Sequence, residues 1–420
     1  MSHLDAVRDH LIELDVRDKN WSAALAAAST GRTAVDVELS AVSTPVFTLD
    51  LAAVAGNLEA MRDWTEQQGV SLAPHGKTTM CPALWDWQLQ LGSWAITVAN
   101  EAQLRVARAA RVRRVLVANE YLSPAGLGWL AAELDSDPDF DVTVWVDSLD
   151  GVEQMTAALT EAGARRRVPV CVEVGHAGAR AGVRDHDGAV QIARAVVSST
   201  QLELRGVSGY EGSVPYTDAA DRVRAVDDYL VELGSVFLDV ADLIETDEPL
   251  LTAGGSAFFD RVVEVLRPVA TKINNARLVL RSGAYVAHDD GLYAEITPAA
   301  TRTGPEFAAA AHVWARVISR PEPTLALLDV GKRDIPYDSG LPVVQKIIRD
   351  GRLVDAPATE LFSTNDQHGY LRLAEPDSLR VGDVVRLGLS HPCTMFDKWR
   401  SALLVDGELP RIRGAVATYF

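Results

Sequence analysis

Lys77 stands in the stretch Ala73-Pro74-His75-Gly76-Lys77-Thr78-Thr79, where a short strand hands over to a helix. Val70-Ser71-Leu72-Ala73 alternates apolar and small residues as a strand does. The helix that follows has Thr79 or Cys81 as cap, Pro82 at its first position, Ala83, Leu84, Trp85 and Leu89 as apolar positions and Gly92 as its stop. In a β/α barrel the C-terminal ends of the strands form the active-site face, and an amine placed there can form a Schiff base with a carbonyl cofactor or substrate. The other reactive group is the pair His391 and Cys393 in Ser390-His391-Pro392-Cys393-Thr394. Spacing i, i+2 on an extended segment points both side chains the same way, so an imidazole and a thiolate can share one Zn2+. Two protein ligands leave positions open to water or substrate, which suits a Lewis acid. Both residues could equally be buried structural groups.

Three further segments follow strand-like runs. In Thr252-Ala253-Gly254-Gly255-Ser256 the glycines let backbone approach an anion, and the amides of a helix expected over 257–266, with the Ser256 hydroxyl, can bind phosphate oxygens. Barrels often place a phosphate site after strands seven and eight; a plain turn is the other reading. Arg180, within the glycine-rich 173–182, can hydrogen-bond a phenolate or carboxylate or stand as a surface charge. Tyr210, within Ser208-Gly209-Tyr210-Glu211-Gly212-Ser213, can face a cofactor ring or pack at a barrel rim.

The elements that would carry these residues repeat as strand, polar joint and amphipathic helix. Strands are expected at 45–48, 70–73, 94–98, 115–118, 142–146, 168–172, 204–207 and 249–252. Asp50 caps the first helix, whose apolar face is Leu51, Val54, Leu58 and Met61. Eight strand–helix units in roughly 230 residues is what a (β/α)8 barrel requires, although periodicity alone leaves an open doubly wound sheet possible. After Leu278 long helical periods stop and strand-like runs such as Val313–Ile318, Thr324–Val330 and Val384–Leu387 take over. The expectation is an α/β protein: a (β/α)8 TIM barrel over 41–280, a C-terminal mainly β domain over 281–420, and an N-terminal extension over 1–40 packing on the β domain.

Composition narrows the function. With 420 residues, 48% of them hydrophobic, the chain can bury a large core. A net charge of −18 argues against nucleic acid as partner, and Arg165-Arg166-Arg167 is a short run at a helix end, not a basic patch. Three cysteines are too few for a disulfide framework and fit a reducing compartment. The start of the chain lacks a signal-peptide pattern and no apolar run reaches membrane-spanning length, so a soluble, cytoplasmic protein with no membrane partner is expected.

Taken together and in order, Pro74-His75-Gly76-Lys77-Thr78, Arg180-Ala181-Gly182, Tyr210-Glu211-Gly212, Thr252-Ala253-Gly254-Gly255-Ser256, Arg281-Ser282-Gly283-Ala284-Tyr285-Val286 and Val381-Gly382-Asp383-Val384 leading to His391-Pro392-Cys393 resemble the D-serine dehydratase and D-threonine aldolase group of fold type III pyridoxal phosphate enzymes. Their barrel is similar to that of alanine racemase, and the resemblance spans about 44 to 400. It implies that Lys77 carries pyridoxal 5′-phosphate, that Gly254, Gly255 and Ser256 hold its phosphate, and that Arg180, Ser208 and Tyr210 also contact the cofactor. It implies that His391 and Cys393 bind a divalent metal, Zn2+ or Mn2+, the thiolate favouring zinc. The implied reaction turns a β-hydroxy D-amino acid such as D-serine, D-threonine or D-threo-3-hydroxyaspartate into a 2-oxo acid and ammonia. The alternatives are an aldolase giving glycine and an aldehyde, and a non-enzymatic pyridoxal phosphate carrier. Cys393 matches the dehydratase branch, where aldolases typically have aspartate. Ser213 stands where aldolases usually have histidine. A homodimer is expected by the same resemblance.

Overall fold

The computed structural model describes residues 3–29, 34–216, 221–407 and 410–420. The chain divides into two compact units, one formed by Met1–Met61, Thr78–Leu91 and Ala284–Phe420, the other by Arg62–Lys77 and Gly92–Gly283. Two short strands, β1 (Val37–Glu38) and β2 (Val46–Asp50), precede the second unit in sequence.

The second unit is an eight-stranded parallel barrel. Its strands are β3 (Ser71–Leu72), β4 (Ile96–Val98), β5 (Arg114–Glu120), β6 (Asp141–Val146), β7 (Val168–Val174), β8 (Leu202–Gly209), β9 (Leu250–Ala253) and β10 (Arg277–Leu280). They lie in the order β3-β10-β9-β8-β7-β6-β5-β4. The two ends of that path meet through the parallel bridge His75↔Thr97 and the bonds Trp94 N to Leu72 O (2.7 Å) and Thr97 N to Pro74 O (2.9 Å). Every residue of β7 is buried, which is why the strand reads as a near-continuous Val run and not as an alternation. Between the strands, the helices Glu101–Ala109, Pro124–Ser136, Leu149–Glu161 and His186–Ser198 each begin at a polar residue, Asn100, Ser123, Ser148 and Asp185, whose side chain accepts from an amide of the first turn.

Inside the barrel Ala73, Ala95, Leu116, Trp145, Cys171, Leu250 and Val279 pack as one apolar layer. Trp145 is the largest of them; it pairs with Cys171, Cys171 with Gly206 and Gly206 with Leu250. A Cβ on Gly206 would come within 1.8 Å of the Leu250 carbonyl oxygen, so no side chain fits there.

One expected barrel strand lies elsewhere. β2, anticipated as the barrel's first strand over 45–48, pairs antiparallel with β11 (Ala311–Glu322) and parallel with β18 (Ser401–Asp406) in the other unit. Val46 to Leu49 are all buried, so the texture of the segment matches that of a barrel strand. The helix Leu51–Gln68 follows as expected, with Asp50 Oδ1 accepting from the amides of Ala52 (2.9 Å) and Ala53 (3.1 Å). The eighth place in the barrel belongs instead to β10.

The first unit is built on an eleven-stranded sheet. Its remaining strands are β12 (Leu325–Leu328), β13 (Val343–Arg349), β14 (Arg352–Asp355), β15 (Thr359–Thr364), β16 (Gly369–Leu373), β17 (Val384–Gly388) and β19 (Arg411–Ala417). The main path runs β1-β19-β18-β2-β11-β12-β16-β15, and β17 joins β11 to β13, which pairs β14. The N-terminal segment lies along β19: Ile12 N donates to Ala415 O and Val35 N to Arg413 O. Leu25, Val37 and Leu39 bury themselves with Leu403 and Ile412 in the same apolar cluster. Among the described residues no helix is long and apolar enough to cross a membrane.

These contacts predict opposite outcomes for two glycines. Gly206→Ala meets backbone that cannot yield and should cost at the upper end of the about 1–3 kcal/mol typical of overpacking. Gly56→Ala, in the helix Leu51–Gln68 with nothing within 4 Å of the new Cβ, should stabilise by about 0.5–1 kcal/mol. Denaturant unfolding of the two variants checks both signs.

Candidate active site

Two residues above the apolar layer, toward the C-terminal ends of the strands, the barrel interior turns polar. The register that aligns Cys171, Gly206 and Leu250 aligns Glu173 with Ser208 and Ser208 with Thr252. All three are buried, and Arg281, directly after β10, is buried among them. Its guanidinium donates to Thr252 Oγ1 (2.7 Å) and Gly209 O (2.6 Å) and lies 5.6 Å from the centre of the Trp145 ring. Burial lowers its pKa from the ordinary arginine value, and the carboxylates of Glu211 and Glu173 oppose that shift.

Glu211 is the second buried charge. Its carboxylate accepts from Gly254 N (3.0 Å) and Gly255 N (2.6 Å), while Ser282 Oγ donates to the carbonyls of the same two glycines. The glycine pair is therefore clamped from both sides. The amides of Gly254 and Gly255, expected to meet a phosphate, are engaged here by an anion of the chain itself. The helix also starts later than expected, over Phe259–Ala270, so Ser256 stands in a turn ahead of it. Gly254 has φ +105°. A Cβ on Gly255 would stand 2.8 Å from Tyr210 Cε2, so the glycine loop lies against the Tyr210 ring.

Tyr210 is fixed through its backbone: its amide donates to Tyr229 Oη (2.9 Å), which in turn donates to Val174 O (2.7 Å). The Arg180 guanidinium carbon lies 4.3 Å from the centre of the Tyr210 ring. His75 lies next to these groups. Desolvation first, then the positive charges of Lys77, Arg281 and Arg180, hold its imidazole well below the ordinary pKa, so it is neutral. Lys77 follows two residues on, in the turn Gly76–Thr78, with an exposed side chain. Lys77, Arg180, Ser208, Tyr210, Gly254 and Gly255 thus all belong to one end of one barrel. His75 Nδ1 and Ser208 Oγ are buried there with no hydrogen-bond partner among the described residues, the mark of a place that receives a polar group.

His391 and Cys393 belong to the other unit, directly after β17, where Pro392–Thr394 forms a short turn. His391 Nδ1 lies 2.6 Å from Asp338 Oδ2, and the ring also hydrogen-bonds Cys393. That bond to Cys393, followed by Asp338, raises the imidazole to about 9 against partial burial. Cys393 Sγ is 3.4 Å from Thr78 Oγ1, and Thr78 is the residue after Lys77 in the chain. Among the described residues no three His, Cys, Asp or Glu side chains gather as a complete ligand set. The donors are the imidazole and the thiol alone, a pair whose softness suits zinc and which would leave positions to water or substrate.

Sequence reasoning missed His75, Glu173, Glu211, Arg281 and Asp338 as site residues. His75, Glu211 and Arg281 lie inside the quoted motifs, and the signal that could have found them is a charge or imidazole next to glycines at a strand end. Nothing local marks Asp338.

The chain matches known proteins along most of its length. Residues 49–259 match the family model of the alanine racemase N-terminal domain, and residues 310–405 that of the serine dehydratase domain. The D-threonine aldolase of Arthrobacter sp. is 28% identical over 380 residues, 89% of this chain and 92% of that protein. The crystal structure of D-threonine aldolase from Filomicrobium marinum superposes with a TM-score of 0.76 at 27% identity, covering 91% of this chain and 97% of that one. D-threo-3-hydroxyaspartate dehydratase from Delftia sp. HT23 shares the fold, with a TM-score of 0.71 at 22% identity over 91% of this chain and 100% of that one.

The polar layer should be visible in the pH dependence of stability. Burial, then the hydrogen bond with Glu120, pushes Glu173 up from 4.5 to about 8. The folded state then binds more protons than the unfolded one between those values, so Glu173 contributes stability that is complete below 4.5 and lost as pH rises through about 8. Glu173→Gln should flatten that decline. Unfolding free energies across the window check it; a slope unchanged by the substitution contradicts the assignment.

Proposed function

We propose, from the premise that the chain belongs to the family of the alanine racemase N-terminal domain, that it is a pyridoxal phosphate- and divalent-metal-dependent lyase that dehydrates and deaminates a β-hydroxy D-amino acid. The 2-oxo acid and ammonia are its products, and D-serine, D-threonine and D-threo-3-hydroxyaspartate are the candidate substrates. The observation that carries the reading is the contact between Cys393 and Thr78, because Thr78 is joined by one peptide bond to Lys77.

The residues fit the cofactor. An amine at a strand end, an aromatic ring beside a glycine loop, and buried Ser208 Oγ and His75 Nδ1 without partners make a cradle for a polar ring with an anionic arm. Lys77 would hold the cofactor, with Tyr210 and Arg180 next to its ring. Ser256 would serve the phosphate, and Gly254 and Gly255 would shape the loop there while Glu211 engages their amides. When bound, pyridoxal phosphate spreads the negative charge left on Cα. The Lys77 amine takes the α-proton, and the departing β-hydroxyl carries its C–O electron pair away. His391 and Cys393 would hold the divalent ion, zinc by ligand type, whose Lewis acidity makes hydroxide a better leaving group. Water then hydrolyses the released enamine to the oxo acid and ammonia. His75, kept neutral by burial and then by its cationic neighbours, adds no further positive charge beside Lys77.

A second reading has its own observation. Relatives at 28% and 27% identity are D-threonine aldolases, and in an aldolase the same ion would hold the β-oxygen while the Cα–Cβ bond breaks. Against that branch stand Cys393 and Ser213, whose hydroxyl donates to Tyr210 O at 3.1 Å. The reading also includes a homodimer in a reducing cytoplasm, with Cys81, Cys171 and Cys393 as free thiols.

Incubation of the purified protein with the three candidate amino acids, following oxo acid, glycine and aldehyde, should give oxo acid that disappears with chelator and returns with zinc. Glycine and aldehyde in place of oxo acid would move the protein to the aldolase branch. Lys77→Ala should lower turnover by at least about 1000-fold, as expected when a covalent catalytic group is removed.

A further inference from the structure

His391 and Cys393 are held in place by residues that neither the motifs nor the family matches assign. Asp338 comes from the loop between β12 and β13. Its Oδ2 lies 2.6 Å from His391 Nδ1, and its Oδ1 accepts from Thr394 Oγ1 at 2.5 Å. A carboxylate only accepts, so His391 Nδ1 must carry the proton of that bond. In the neutral imidazole the lone pair is then on Nε2.

We propose that Asp338 is a positioning residue for the metal: it fixes His391 in the tautomer that presents Nε2 to the ion and strengthens that nitrogen as a donor. Thr394 locks the carboxylate from the other side. Each Asp338 oxygen thus has a protein partner, His391 on one and Thr394 on the other. The other donor has a similar outer contact, Thr78 Oγ1 at 3.4 Å from Cys393 Sγ. The Asp338 side chain is 41% exposed, and an ion pair so open to water adds little to folding. Orientation of a metal-bound histidine by a carboxylate on its far nitrogen is a recurrent arrangement, and its loss lowers metal affinity or activity by about 10–100-fold.

This inference rests on the metal reading above, and the test separates the two. Zinc affinity is measured by competition against a chromogenic chelator, on the full-length protein loaded with pyridoxal phosphate, for wild type, His391→Ala, Asp338→Asn and Asp338→Ala. Wild type should bind one zinc tightly and His391→Ala should not. Asp338→Ala should bind about 10–100-fold more weakly, and Asp338→Asn, which keeps an acceptor but loses the charge, should fall between. Cofactor content and melting temperature of the metal-stripped protein should be unchanged in both Asp338 variants. If wild type binds zinc through His391 and Asp338→Ala binds it equally well, the role of Asp338 is overturned while the metal reading stands. If wild type binds no zinc, both fall.

Discussion

A guanidinium buried at the mouth of a barrel has to be neutralised by its surroundings, and Arg281 imposes that condition on most of the polar layer. Its donors go to Thr252 Oγ1 and Gly209 O, and its charge faces the Glu211 carboxylate. Because a lone buried charge is costly, removing one member would leave the others uncompensated. The same cluster sets the glycine loop, since Glu211 binds both amides and Ser282 both carbonyls of Gly254-Gly255. It also sets the electrostatics next to Lys77, where Arg281 and Arg180 help to keep His75 neutral.

The apolar layer below makes this cluster possible. Trp145 is the largest side chain of that layer, and the Arg281 guanidinium lies 5.6 Å from the Trp145 ring. An aromatic face takes part of the burden of a buried cation without adding a carboxylate. The His391–Cys393 pair in the other unit follows the same logic on a smaller scale: Asp338 bonds His391, Thr78 contacts Cys393, and Thr394 bonds Asp338 in turn.

Much of this was legible in the sequence, because local rules decided it. Asp50 heads the helix after its strand, Pro82 opens its helix at the first position, and the motifs that carry Lys77, Tyr210 and the glycine pair fall at strand ends. What failed was non-local. β2 has the burial of a barrel strand, and only its pairing with β11 and β18 shows that it belongs to another sheet. The engagement of the Gly254 and Gly255 amides depends on Glu211, and the orientation of His391 on Asp338. Both partners lie tens of residues away in the chain, with no periodicity to link them.

The central claim is that Lys77 is the residue that carries the cofactor. Borohydride reduction of the protein loaded with pyridoxal phosphate fixes the link, and peptide mass mapping then locates it. The account predicts a single pyridoxyl group on the peptide containing Lys77. A label on another lysine, or none under conditions where the cofactor is bound, would contradict it.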